Sequence, residues 1–149
     1  MKKALFIIIA LLVAGTANAQ MTVGTKKEKI ASAASGFTRL YASIHPNDTT
    51  YYMAVQSNNQ YHGSVIVDLG YKDEALALLQ SMYDYVPQEN DSILYLNNPS
   101  NNTATFENIL GAEQYFIYEE NSTGRIYGYL MISTIKRFIK KLSEYGGKS

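Results

Sequence analysis

The sequence predicts an α+β domain in which an antiparallel sheet of about six or seven strands packs against two amphipathic helices. Three observations carry this reading. Short β-rich runs are joined by turn chemistry and not by helical crossovers, which favours antiparallel over parallel pairing. Only two stretches, about 72–86 and 134–145, repeat apolar residues at three- and four-residue steps. Each of them follows a run of strands, so the order reads as a weak β-β-β-α duplication, although no period in the sequence supports it.

The first segment is expected to direct the protein and then leave it. Lys2 and Lys3 form a positive start, Ala4 to Val13 an unbroken apolar run, and Ala17-Asn18-Ala19 a small-residue cleavage site before Gln20. Residues 1–19 therefore read as a cleaved secretory signal peptide. The ten-residue run from Ala4 to Val13 is short of the roughly twenty residues that span a bilayer as a helix, so no membrane span is expected. No cysteine stands at the cleavage point, which argues against a lipoprotein anchor. The chain contains no cysteine at all, so stability must come from burial without disulfides. An exported protein of a Gram-negative bacterium, periplasmic or secreted, fits these features.

Removing nineteen residues from 149 leaves 130, the size of one domain. Lys2 and Lys3 are two of the thirteen basic residues, so eleven remain against thirteen acidic ones, a formal charge of minus two. Bulk nucleic-acid binding is not expected of such a chain. Charge is unevenly spread, with ten acids and one base from Asp68 to Glu120 and five bases and one acid from Lys136 to Lys148.

Residues 20–35 carry few large apolar side chains and read as a flexible lead-in, with the single α+β domain occupying 36–149. Phe37 to Ile44 alternates as a strand, His45-Pro46-Asn47-Asp48 is a turn, and Tyr51 to Gln56 is the return strand of a hairpin. Tyr61 to Leu69 forms a third strand, with Val65, Val67 and Leu69 on one face and Ser64, Ile66 and Asp68 on the other. Lys72 to Val86 follows as a helix, its stripe made by Ala75, Leu76, Leu79, Met82, Tyr83 and Val86. Asp73 and Glu74 stand in its first turn, where the helix dipole favours acids, and Pro87 ends it.

A short apolar run, Ile93 to Leu96, precedes the loop Asn97 to Asn102, and a strand follows at Thr103 to Ile109. Ala112 to Glu120 and Arg125 to Ser133 are strands joined by the hairpin turn Asn121-Ser122-Thr123-Gly124. In the last helix, Ile132, Ile135, Phe138, Ile139 and Leu142 make an apolar stripe opposite Lys136, Arg137, Lys140 and Lys141, and Gly146-Gly147 stops it. That basic face suits an anionic lipid surface, an acidic partner or the acidic middle of the same chain, although a solvated face explains it most simply.

Catalytic signatures are absent. The chain has no cysteine nucleophile, G-x-S-x-G, P-loop, H-E-x-x-H or G-x-G-x-x-G. His45 and His62 are its only histidines, and neither has a second ligand at a metal spacing, so no metal and no cofactor are expected. His62, Ser64 and Asp68 are the residue types of a triad, yet residues two apart on a strand lie about 6 to 7 Å apart, beyond nucleophile-to-base reach. Asp68, Glu107, Glu113, Glu119 and Glu120 supply carboxyls, but nothing in the sequence sets two of them across a cleft. Asn47, Asn90, Asn101 and Asn121 begin N-x-S/T triplets, which in a bacterial protein read as Asn-rich turns. Asp48-Thr49-Thr50 and Asp91-Ser92-Ile93 have the short form of bacterial O-glycosylation sites.

Tyrosine is the unusual component: thirteen, with no tryptophan. Its ring gives rigid amphipathic contact area at low entropy cost, which suits recognition surfaces, and it also fills half-buried sheet positions. Tyr115, Tyr127 and Tyr129 flank the last hairpin, with Tyr127 and Tyr129 on one face, while Tyr41, Tyr51, Tyr52 and Tyr61 line the first sheet, and Tyr115, Tyr127, Tyr129, Tyr51 and Tyr52 are the candidate contact residues. The expected function is a small non-catalytic binding domain whose Tyr-bearing sheet contacts a protein or a glycan. A hydrolase with dispersed carboxylates and a structural or inhibitory envelope protein are the alternatives.

Overall fold

The computed structural model of the chain describes residues 24–59, 61, 63–87, 93–121 and 124–146. The expected signal peptide, His62, the Asn90 and Asp91 sites, and the centre of the Asn121 to Gly124 turn lie outside the described residues.

Among the described residues, eight strands and two helices follow in the order β1 (Lys26–Ser32), β2 (Arg39–Ile44), β3 (Thr49–Gln56), β4 (Ser64–Gly70), α1 (Lys72–Asp84), β5 (Leu94–Tyr95), β6 (Thr103–Ile109), β7 (Ala112–Asn121), β8 (Gly124–Met131) and α2 (Ile132–Glu144). The fold is α+β, but the strands make two antiparallel sheets of four, ordered β1-β2-β3-β4 and β5-β6-β7-β8, and not one sheet of six or seven. Each sheet is a meander closed by a helix, so the unit that repeats is β-β-β-β-α. The fourth strand of the first unit comes from the expected lead-in. There Lys26 to Ser32 pairs with β2, turns Ala31 into the core and leaves Lys26, Lys27 and Lys29 outside on the sheet edge, where lysines discourage further strand pairing.

Alternation decides which side of each strand is buried. Leu40 and Ala42 of β2, Tyr51, Met53 and Val55 of β3, and Val65, Val67 and Leu69 of β4 face inward. Ala104 and Phe106 of β6, Tyr115 and Ile117 of β7, and Ile126 and Leu130 of β8 do the same in the second sheet. Ala75, Leu79 and Met82 of α1 and Thr134, Ile135, Phe138 and Leu142 of α2 complete one core, in which the helices pack on each other and on the sheets.

Helix α1 stops at Asp84, before the end of its expected stripe, because Pro87 holds the preceding residue extended and Tyr85 already leaves the helix in a β conformation. Val86, beyond the helix end, is exposed, Tyr83 within the helix also faces outward, and the Tyr85 ring packs on Phe106 and Tyr115. At the other end the Glu74 carboxylate accepts the Tyr71 N–H at 2.8 Å, satisfying one amide that the first helical turn leaves free.

The two sheets meet where the end of β3 and strand β4 approach β7 and β8. Ser57 bridges Gly128, the Asn58 N–H donates to the Tyr127 carbonyl at 2.9 Å, and the β4 edge gives its Ile66 and Asp68 N–H groups to Glu119 Oε2 (3.2 Å) and Ser100 Oγ (2.8 Å). Side chains of the second unit thereby occupy a strand edge that would otherwise recruit another chain.

Candidate functional site

The outward side of the second sheet carries a row of aromatic rings. The register of the last hairpin, with Asn121 opposite Gly124, sets Tyr118 across from Tyr127 and Phe116 across from Tyr129. Phe116 meets Tyr127 edge-on at 5.5 Å between centroids, and Tyr118 meets Tyr127 at 5.9 Å. Arg125, exposed one strand away, lays its guanidinium over the Tyr118 ring with Cζ 3.9 Å from the centroid. Tyr129, 40% exposed, reaches across the junction so that its hydroxyl donates to Gln56 Oε1 at 3.3 Å.

Beside this row lies an open cleft of about 510 Å³, lined by Tyr95, Ser100, Thr103, Tyr118, Glu119 and Arg125 among others. The loop Asn97 to Asn102 builds its wall through two buried asparagines. Asn98 Nδ2 donates to the Asp68 carbonyl and to Asn102 Oδ1, both at 2.8 Å, and Asn98 Oδ1 accepts the Asn102 N–H at 2.9 Å. Asn102 Nδ2 in turn donates to the Tyr118 carbonyl at 3.1 Å. One polar knot thus ties β4 of the first unit to β7 of the second. Asn97 and Asn101 take the left-handed backbone at φ 50° and 51°, which asparagine tolerates better than most residues. Tyr95, 73% exposed, stands free at the rim.

The five tyrosines named from the sequence divide between the two sides of their sheets. Tyr127 and Tyr129 share the outer face of β8, and Tyr52 lies on the outer face of β3, stacked on Tyr41 at 5.1 Å and 15°. Tyr51 and Tyr115 face the core instead. The Tyr115 hydroxyl donates to the Met82 carbonyl at 2.6 Å, and burial, followed by Tyr85 and Glu113, raises its pKa well above the ordinary 10.0. Tyr52 is raised too, first by burial and then by Tyr41. Phe116, Tyr118 and Arg125 were not among the named residues. Counting back from the Asn121 to Gly124 turn along the period of two would have placed Phe116 and Tyr118 beside Tyr127 and Tyr129.

The acidic candidates have definable surroundings. Glu119 Oε2 accepts the Ile66 N–H and Asp68 Oδ1 the Gly70 N–H, so both carboxylates hold backbone in place. Glu120 pairs across the strand with Arg125, whereas Glu107 and Glu113 are exposed near the other end of the β6–β7 hairpin. His45 bonds through Nδ1 to the Thr25 hydroxyl at 2.9 Å. Among the described residues no group of three or more His, Cys, Asp or Glu side chains is placed to hold a metal ion. No helix among them is long and apolar enough to cross a membrane. Lys136, Arg137, Lys140 and Lys141 of α2 are all exposed.

Compared with known proteins, the chain matches no family model, no curated protein and no solved structure.

Proposed function

We propose that the chain is a small exported binding domain that acts without catalysis, through the outer face of its second sheet, on a protein or glycan. The observation that carries this reading is the contiguous row Phe116, Tyr118, Tyr127 and Tyr129 directed away from the core and capped by Arg125, next to a cleft of about 510 Å³. Core packing does not account for these rings, because Tyr115, Ile117, Ile126 and Leu130 on the same two strands supply the buried side. Aromatic rings with an arginine are the residue types that dominate recognition energetics, and the cleft lies within the range of small-ligand sites, about 300–1,000 Å³. The slightly acidic mature composition argues against nucleic acid as the ligand.

A glycan array and a pull-down from envelope extract, each run with the mature chain and with Tyr118→Ala and Tyr127→Ala, test the reading. The expected result is a ligand in at least one assay, weakened by each substitution by about 1 kcal/mol or more, roughly fivefold. Silence of the unsubstituted protein in both assays sinks it. Export is tested separately by intact-mass measurement of protein recovered outside the cytoplasm, which should begin at Gln20; a mass that includes Met1 to Ala19 overturns cleavage.

A further inference from the structure

Resting on that reading, the geometry points to a second binding platform on the outer face of the first sheet, so that the chain takes a neutral oligosaccharide at two places, one in each repeat. The two faces carry the same set of parts. In the second repeat, Tyr118 of the third strand is flanked by Tyr127, lies under the Arg125 guanidinium and borders a cleft with the hydroxyls of Ser100 and Thr103 and the carboxylates of Glu119 and Glu120. In the first repeat, Tyr52 of the third strand is stacked on Tyr41, lies under the Lys27 ammonium with Nζ 5.8 Å from its centroid, and borders a groove of about 400 Å³. The hydroxyls of Ser43 and Thr50 and the carboxylate of Asp68 line that groove.

Neither copied sequence nor core packing explains the match. Thr50-Tyr51-Tyr52-Met53-Ala54 and Phe116-Ile117-Tyr118-Glu119-Glu120 share only the central tyrosine, and the cation comes from the first strand in one repeat and the fourth in the other. The inward residues Tyr51, Met53, Tyr115 and Ile117 make the core, while the platform side chains turn away from it.

The parts select a ligand class. Clustered tyrosine rings and their edges give the C–H groups of a sugar dispersion contact, and the hydroxyls, carboxylates and cation around them bond a polyol in both directions. Lys27 is matched by Asp68 in its groove, and Arg125 by Glu119 and Glu120 in the other, so neither site holds the excess positive charge that an anionic sugar or a phosphate needs. The two outer faces meet at Gln56 and Tyr129, whose side chains bond at 3.3 Å, and each platform has its own groove to take a ligand of its own.

Isothermal titration of the mature chain with neutral hexasaccharides (cello-, xylo-, manno-, laminari- and chitohexaose), with polygalacturonate as the acidic comparison, tests the proposal. At least one hexasaccharide is expected to fill two sites per chain with an affinity that salt does not change. Tyr52→Ala and Tyr118→Ala should each leave one site. Lys27→Ala and Arg125→Ala, at exposed side chains, should each weaken their own site about tenfold and so separate loss of a platform from loss of the fold. A single site removed by Tyr118→Ala and untouched by Tyr52→Ala and Lys27→Ala overturns the second platform and leaves the binding function intact. Failure of every neutral hexasaccharide, or preference for polygalacturonate, overturns the ligand class, while the pull-down still decides whether the domain binds a protein.

Discussion

Gly128 joins the two halves of the molecule at one residue. A Cβ built on it would stand 2.7 Å from the Gln56 carbonyl oxygen and 2.9 Å from Val55 Cγ1, closer than real carbons approach. Gly128→Ala should therefore push β8 off the end of β3 and destabilise by about 1 to 3 kcal/mol, measured as a lower denaturant midpoint. An unchanged midpoint would mean the junction is loose. Leu110 offers the opposite case, since it sits exposed at φ 52° in the two-residue turn between β6 and β7, where Gly111 follows at 86°. Turns of this shape prefer Asn-Gly, so Leu110→Asn should stabilise by about 0.4 to 1 kcal/mol; a loss of stability would show that Leu110 makes a contact of its own. At this scale the sequence is readable wherever periodicity alone decides, as for Tyr127 and Tyr129 on one face. The same alternation divides the adjacent pair Tyr51 and Tyr52, setting Tyr51 with Met53 and Val55 toward the core and Tyr52 with Gln56 away from it; what it does not show is which outward rings meet across strands, as Tyr52 meets Tyr41.

Elements were legible in proportion to their periodicity. The two helices, with the α1 stripe short of Tyr83 and Val86, the β2–β3 and β7–β8 hairpins and the inward set Val65, Val67 and Leu69 follow from spacing and turn residues alone. Strand β1 was not legible, because its edge position lets it carry four charged residues in seven, and only pairing with β2 makes KKEKIAS a strand. Strand β5 spans two residues, below any period. What holds β5 and β6 beside the first unit is the Asn98 and Asn102 knot, which composition marked only as a loop. Asn98→Ala would strip hydrogen bonds from the Asp68 carbonyl and from both the N–H and Oδ1 of Asn102, all at the buried junction. The expected cost is about 1 to 3 kcal/mol, with weaker ligand binding at the cleft whose wall this loop forms. Thermal melting and titration of the same variant check both effects, and a variant that melts with the parent protein would refute the role given to the knot.

The division into two sheets belongs to the whole molecule, because alternation tells which side of a strand is buried but not which strands share a sheet. That division leaves tyrosines at every level of the structure, and several of them hold their protons more tightly than in the unfolded chain. Burial is the leading cause for Tyr51, Tyr52, Tyr115 and Tyr145, and the hydrogen bond to Asp48 for Tyr71. All are raised above 10.0, so below that pH both folded and unfolded chains keep these protons and the stability is fully present. As pH rises past it, the unfolded chain releases protons that the folded one retains. The unfolded state then binds fewer protons, and stability falls with pH until the folded tyrosines themselves ionise. Denaturant midpoints should hence be level through mildly alkaline solution and decline above about pH 10, with tyrosinate absorbance rising in step with unfolding. Tyr115→Phe separates the contributions. It removes the donor to the Met82 carbonyl and lowers stability at neutral pH by about 1 kcal/mol, while its alkaline decline becomes shallower because the unfolded chain has one fewer phenol to ionise. A midpoint that stays level far above pH 10, or a Tyr115→Phe variant that declines as steeply as the parent, would show that buried phenols do not set the alkaline limit of this fold.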